Sequence, residues 1–153
     1  CTHDPERIPE FLEAGKTYDV VVGSRYQYVD SLDTWVWYRK LLTHTAHSLI
    51  VFFLGMPYDA SGAFRFYNLK KVPLEVFEIV QSDSYSFFWE SLFIIWMNKY
   101  RIHEIPISLP SRTYGTSKMR IRDVLNGFLL LCRIYVQKLF RPEFFRVSNS
   151  VDV

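Results

Sequence analysis

Tyr18-Asp19-Val20-Val21-Val22-Gly23 constrains the fold more than any other stretch of the chain. Three successive β-branched residues favour extended backbone, and a run that is apolar on both sides has to be covered on both faces. Such a strand belongs inside a layered α/β arrangement. The residues before it supply a helix. Asp4 is placed to accept from free N–H groups as the N-cap, Pro5 suits the first helical position, and Gly15 is expected to stop the helix in a left-handed conformation. Helix, glycine and buried strand make half of an α/β unit.

Downstream, Tyr26 to Asp33 reads as a polar loop. Trp35 to Leu54 reads as a long helix ended by Gly55, with Trp37, Leu41, Leu42, Leu49 and Phe52 near helical spacing. Asp59-Ala60-Ser61-Gly62-Ala63 is a turn, and Phe64 to Tyr67 resumes as a strand. A second apolar helix is expected from Ser84 to Tyr100. Arg101 to Pro110 reads as an edge strand, because Pro106 cannot donate to a central ladder. A polar loop from Ser111 to Lys118 leads into a final amphipathic helix from about Arg120 to Phe140. There is no internal repeat and no low-complexity stretch.

At 153 residues the chain has the size of about one domain. Hydrophobic residues at 49% against 22% charged exclude a disordered polyelectrolyte. With 13 Phe, 10 Tyr and 4 Trp there are more rings than a modest core needs, so some are expected at an interface between apolar and polar surroundings. Two cysteines, Cys1 and Cys132, exclude a disulfide-stapled scaffold and make a reducing compartment the default. The start of the chain is polar and acidic and shows no signal-peptide pattern or initiator Met, so the expectation is a processed chain or an internal piece of something longer. No run of about 18 uncharged apolar residues is present to span a bilayer.

Charge is unevenly distributed. Arg112 to Arg146 holds eight basic residues (Arg112, Lys118, Arg120, Arg122, Arg133, Lys138, Arg141, Arg146) against two acidic ones, Asp123 and Glu143. The remaining residues are mildly acidic. A basic, apolar-rich last quarter points to anionic lipid, phosphate or nucleic acid, or else to a solvated helix face.

Arg25 directly follows a strand, where ligands gather in open α/β sheets, and Arg is the natural bidentate partner of phosphate. The alternative is a surface ion pair. Asp59, Ser61 and Gly62 put a carboxylate and a hydroxyl at a glycine turn entering a strand, which by itself is ordinary turn chemistry. Arg112-Thr113-Tyr114-Gly115-Thr116-Ser117-Lys118 sets two cations and three aliphatic hydroxyls in a glycine loop before a helix. A loop of that composition can wrap a diphosphate, although its glycine spacing is not that of a Walker loop. His44 and His47, at i and i+3, could face a metal together, but no third ligand is evident nearby. His103 reads as structural, and Cys132 as core or interface.

In this order the segments resemble the family-two glycosyltransferases that load sugars onto polyprenyl phosphates, the dolichyl-phosphate mannosyltransferase type in particular. The matching stretches are Thr2-His3-Asp4-Pro5-Glu6, Asp19-Val20-Val21-Val22-Gly23-Ser24-Arg25-Tyr26, Trp37-Tyr38-Arg39-Lys40, Asp59-Ala60-Ser61-Gly62-Ala63-Phe64-Arg65, Glu104-Ile105-Pro106 and Arg112-Thr113-Tyr114-Gly115-Thr116-Ser117-Lys118. The resemblance implies the C-terminal part of a nucleotide-diphospho-sugar transferase fold (GT-A, Rossmann-like) with a C-terminal amphipathic helix. Residues 1–118 would be the acceptor side of the catalytic domain, and 119–153 a membrane-interface helix and tail. An N-terminal nucleotide-binding half of roughly 90 residues, ending in an Asp-x-Asp metal motif just before Cys1, would be missing, leaving the piece inactive alone.

By the same resemblance, Arg25, Arg39 and Thr43 would hold the acceptor phosphate. Asp59 would face the reacting sugar as binder or electrostatic stabiliser, with Ser61, Gly62 and Ser117 on the donor side. Arg112 and Lys118 would embrace the donor's diphosphate. Thr2 would fall at a third metal-ligand position for Mg²⁺ or Mn²⁺ in the complete enzyme, and no divalent site forms without the upstream aspartates. Ala63 is an insertion relative to many relatives and leaves the direction of Arg65 open.

The implied reaction is a single inverting displacement. It moves a sugar, mannose first, from a nucleotide sugar (GDP-mannose or a UDP-sugar) to a polyprenyl or dolichyl phosphate at the cytoplasmic face of a membrane. The enzyme would lie there peripherally or be anchored by segments outside this chain. Transfer of glucose or another sugar to undecaprenyl phosphate is the alternative within the class, and a non-catalytic membrane-surface binding module the alternative outside it. Nucleic acid is not an expected partner, because the basic residues alternate with Leu and Phe rather than lining an exposed aromatic platform.

Overall fold

A computed structural model describes residues 3–27, 36–108 and 121–147, except for the Arg39 side chain. After a 3₁₀ turn at Pro5–Arg7, the described elements are α1 (Ile8–Thr17), β1 (Val20–Ser24), α2 (Trp37–Leu54), β2 (Arg65–Tyr67), α3 (Glu75–Glu78), α4 (Phe87–Met97), β3 (Ile102–Pro106) and α5 (Ile121–Phe140), with a second 3₁₀ turn at Pro142–Phe145. The sheet order is β2-β1-β3, so the valine strand is central. β1 runs antiparallel to β2, with Val21 opposite Phe66, and parallel to β3, with Val22 opposite Glu104.

Side-chain alternation divides the core at this strand. Val20 and Val22 join the large cluster built from Leu54, Met56, Leu92, Phe93, Ile95, Ile134 and Phe145. Val21 faces the other way, into a smaller cluster with Phe11, Ile105 and Ile107. All five residues of β1 are buried, as a strand covered on both faces requires. β3 lies at the edge of the described sheet, the place expected from Pro106.

The first helix begins as its sequence suggests but ends differently. Asp4 accepts from the Glu6 N–H at 3.0 Å, and Pro5 opens the turn. Gly15 is not the left-handed stop; the helix continues to Thr17. Gly15 is instead a point of close approach, because a Cβ there would collide with the ring of Phe66. Its missing side chain is what lets α1 rest on β2. At the end of α2, by contrast, Gly55 is left-handed with φ of 72° and donates to the Val51 carbonyl at 2.8 Å.

Lys138 adds a second device at that terminus. Its Nζ donates to the Leu54 carbonyl at 2.7 Å, placing a cation on the unsatisfied end of α2. One of the basic residues expected on a lipid-facing helix is therefore turned inward, and burial lowers its pKa. Phe53 and Tyr135 meet edge to face at 5.1 Å and complete the α2–α5 contact.

The residues after α5 return to the core. Phe145 is fully buried against Phe93, and Asn98 fixes the segment by donating to the Phe145 carbonyl at 2.6 Å and accepting from the Val147 N–H at 2.9 Å. Glu90 is likewise buried and accepts from the N–H groups of Gln81 and Ser82, which hold the loop before α4.

Candidate functional site

At the carboxyl end of β1, which runs parallel to β3, several of the sequence-predicted residues come together. Arg25 is the first residue past β1 and is only 7% exposed; Asp59, on the turn before β2, is 1% exposed. Arg25 Nε donates to Asp59 Oδ2 at 2.8 Å and Nη2 to Oδ1 at 2.7 Å, a two-pronged grip. The Arg25 backbone N–H adds a third bond to Oδ2 at 3.0 Å, and the Ser61 N–H a longer one to Oδ1 at 3.3 Å.

Burial alone would push the Asp59 carboxyl up. The hydrogen bonds and charge of Arg25 outweigh burial and hold it below the ordinary carboxylate range. Asp59 is thus ionised near neutrality, with four N–H donors around its two oxygens. A carboxylate so engaged is poorly placed to take up a proton.

Ser61 and Gly62 belong to the same cluster. Ser61 Oγ accepts from Arg25 Nη2 at 2.5 Å. Gly62 is buried where a Cβ would lie 3.2 Å from the Gly23 carbonyl oxygen, so the turn can lie against the end of β1. Arg65 does not join them. Its guanidinium donates to the carbonyls of Ala60 and Phe88 and to the Tyr67 hydroxyl, which makes it a brace under the turn.

Tyr26 links this cluster to α2. Its hydroxyl donates to the Thr43 carbonyl at 3.2 Å, and burial pushes its pKa up to about 12, so the proton stays on the phenol. Its ring stacks on His47 at 4.1 Å, lies 5.6 Å from the His44 ring and stands 5.7 Å from the Arg25 guanidinium carbon. The two histidines therefore pack on an aromatic ring. No group of three or more His, Cys, Asp or Glu among the described residues is arranged to hold a metal ion.

His103 stacks on Tyr18 at 4.4 Å, away from the cluster, in keeping with a structural role. Cys132 is half-buried on α5 with a free thiol.

Arg25, Asp59, Ser61 and Gly62 are thus brought together, and Thr43 adjoins them through Tyr26. Arg39 stands in α2 one turn before Thr43, with its side chain outside the described residues. Thr2, Arg112, Ser117 and Lys118 also lie outside the described residues. Two residues that reach the cluster carry no assignment from sequence, Tyr26 and Glu104, the latter accepting from the Asp59 backbone N–H. Tyr26 was legible as the ring following Arg25, and Glu104 as the acid of the Glu-Ile-Pro stretch; neither residue type announces its partner.

No family model matches the chain. Among curated proteins it is 31% identical over 123 residues to polyprenol monophosphomannose synthase of Mycolicibacterium smegmatis, covering 77% of this chain and 45% of that protein. It is 29% identical over 119 residues to undecaprenyl-phosphate mannosyltransferase of Micrococcus luteus, covering 77% of this chain and 49% of that protein. The chain spans about half the length of the curated relatives it matches. By these matches the chain is a relative of the polyprenyl-phosphate sugar transferases, the type its ordered motifs resemble.

Proposed function

We propose that this chain is the acceptor-side part of an inverting glycosyltransferase that moves mannose from GDP-mannose to a polyprenyl phosphate at a membrane surface. One observation carries the reading: a buried, rigidly held arginine stands at the carboxyl end of parallel strands and adjoins, through Tyr26, the helix α2 with its exposed large apolar side chains. A phosphate grip next to an apolar surface suits an acceptor with an anionic head and a hydrocarbon tail.

A phosphate monoester has a second pKa of about 6, so the acceptor is already a mostly dianionic nucleophile at pH 7. It needs positioning more than a base. Arg25 supplies positive charge and a fixed donor plane, with Arg39 and the Thr43 hydroxyl assigned to the same phosphate. The bonds around Asp59 favour a holding role over proton transfer. Its negative charge would also stabilise an oxocarbenium-like sugar passing nearby. Arg112 and Lys118 are assigned to the leaving diphosphate and Ser117 to the donor side. The described residues offer no donor set for the divalent ion that the resemblance implies, and no step here runs through one.

The membrane part of the reading is supported by exposure. On α5, Ile121, Leu125, Leu129, Val136, Leu139 and Phe140 recur at helical spacing and are exposed, away from the buried Leu131 and Ile134. On α2, Trp37 is 74% and Phe52 80% exposed. Exposed Arg122, Arg133 and Arg141 accompany the α5 residues. Apolar stripes edged by cations suit an anionic lipid surface. Among the described residues no helix is long and apolar enough to cross a membrane.

The test is transfer of label from GDP-mannose to the lipid phase by the protein that carries this chain, with polyprenyl phosphate and Mg²⁺ or Mn²⁺. Label in the lipid supports the reading. Label only from a UDP-sugar would replace mannose by another hexose, and no transfer from either donor would overturn the enzyme reading.

A further inference from the structure

Glu104 belongs to a stretch that carried part of the resemblance but was given no role. It stands on β3 opposite Val22 of β1, one turn of pleat below the end of the strand where Arg25 emerges. Its side chain is half-buried and both oxygens are engaged. Oε1 accepts from the Asp59 backbone N–H at 2.6 Å, and Oε2 accepts from Gln27 Nε2 at 3.3 Å. The first is a charge-assisted bond to a residue that is itself buried.

We propose that Glu104 is a positioning residue for the acceptor phosphate, acting through Asp59 on Arg25. One carboxylate ties the turn that grips the arginine to the chain that follows it. Asp59 grips the guanidinium from the turn before β2, and Gln27 lies two residues beyond Arg25 where the chain leaves the sheet. Glu104 sits on a strand paired with β1 along its whole length, so it references the Asp59 turn and the Gln27 segment to the same rigid frame. Without it, the buried Asp59 N–H has lost its acceptor and the Asp59 turn has lost its tie to β3. The guanidinium plane would then follow the turn. This inference rests on the acceptor-phosphate reading of Arg25.

Reach and charge can be separated by two substitutions. Glu104→Gln keeps an oxygen at the position that accepts from Asp59 while removing the charge. Glu104→Asp keeps the charge and withdraws it by one methylene, out of hydrogen-bond range. Farnesyl phosphate, a short prenyl monophosphate, is titrated into the protein that carries this chain and into both variants of it, with the Arg25 Nε–H resonance followed in ¹⁵N NMR.

The expected result is that Glu104→Asp weakens farnesyl phosphate binding about tenfold and broadens or shifts the Arg25 Nε–H signal. Glu104→Gln keeps the acceptor for the Asp59 N–H, and Gln27 can turn its amide to offer oxygen to the new NH₂, so this variant should bind like the parent and keep that signal in place. Equal affinity in all three proteins overturns the inference and leaves the Arg25 reading standing, as does a loss in Glu104→Gln as large as in Glu104→Asp. If the unsubstituted protein binds no farnesyl phosphate, the acceptor reading itself fails and the inference falls with it.

Discussion

Replacing Asp59 by Asn should be among the most destabilising single changes at the site, although it alters the side chain by one atom. The carboxylate is 1% exposed and accepts three N–H bonds from Arg25, at 2.7, 2.8 and 3.0 Å, and a fourth from Ser61 at 3.3 Å. An amide has one oxygen to offer and turns its NH₂ donors toward a guanidinium that is itself a donor. Breaking a buried pair by removing one partner costs about 3–5 kcal/mol, because the surviving charge is left in a poorly solvated place. Asn keeps one acceptor and so belongs at the low end, about 3 kcal/mol, which for a chain of this size lowers Tm by roughly 6–12 °C.

Urea denaturation followed by tryptophan fluorescence measures this, and Arg25→Met with Asp59→Leu completes a double-mutant cycle. The double variant should lose less than the sum of its singles, since removing both charges leaves neither stranded. A loss below about 1 kcal/mol for Asp59→Asn, the range of exposed ion pairs, would refute the reasoning. So would additivity in the cycle.

Gly15→Ala should destabilise the chain by about 1–3 kcal/mol through overpacking on Phe66, although alanine is the better helix former; an unchanged or raised midpoint would show that β2 yields freely. Lys99 adopts a left-handed backbone with φ of 65° after α4, so Lys99→Gly should stabilise by about 0.5–1 kcal/mol in the same assay. Burial holds His47 below the ordinary imidazole value despite the opposing charge of Asp59. The unfolded chain then binds a proton that the folded chain refuses, so this contribution is complete above about pH 6.5 and declines as pH falls toward the lowered folded value. His47→Gln should flatten the stability profile over that window, and an unaltered slope would remove His47 as its source. Leu129→Asp should weaken binding of the chain to vesicles containing anionic lipid by tenfold or more, taking about 1.5–3 kcal/mol for an inserted Leu, while leaving the urea midpoint in place. Equal vesicle binding would exclude the α5 stripe as the lipid-facing surface.

The central strand and the long helices were legible because their signals are local. Val20-Val21-Val22 needs only its own branching and polarity to be read as a buried strand, and Gly55 marks a helix end that the left-handed φ then fulfils. Gly15 misled for the opposite reason. Its lack of a side chain answers to Phe66, a residue 51 positions away that becomes a neighbour only when β2 pairs with β1. Lys138 misled likewise: its charge looks like part of a basic face until α2 is packed close enough to offer a carbonyl.

The candidate site divides along the same line. Arg25 was found from its place after a strand, and Asp59 from its glycine turn. That the two grip each other is a tertiary fact no spacing encodes, and it changes what Asp59 can do. Glu104 is harder still, since its importance lies in a backbone N–H on another segment.

The most direct test of the account is the acceptor dependence of sugar transfer by the protein carrying this chain, with Arg25 replaced by Lys. Lysine keeps the charge beside Asp59 but loses the planar fork that fixes its direction. The account predicts that KM for the polyprenyl phosphate rises about tenfold or more while KM for the nucleotide sugar stays where it was. An unchanged acceptor KM, or a rise confined to the donor, would contradict it.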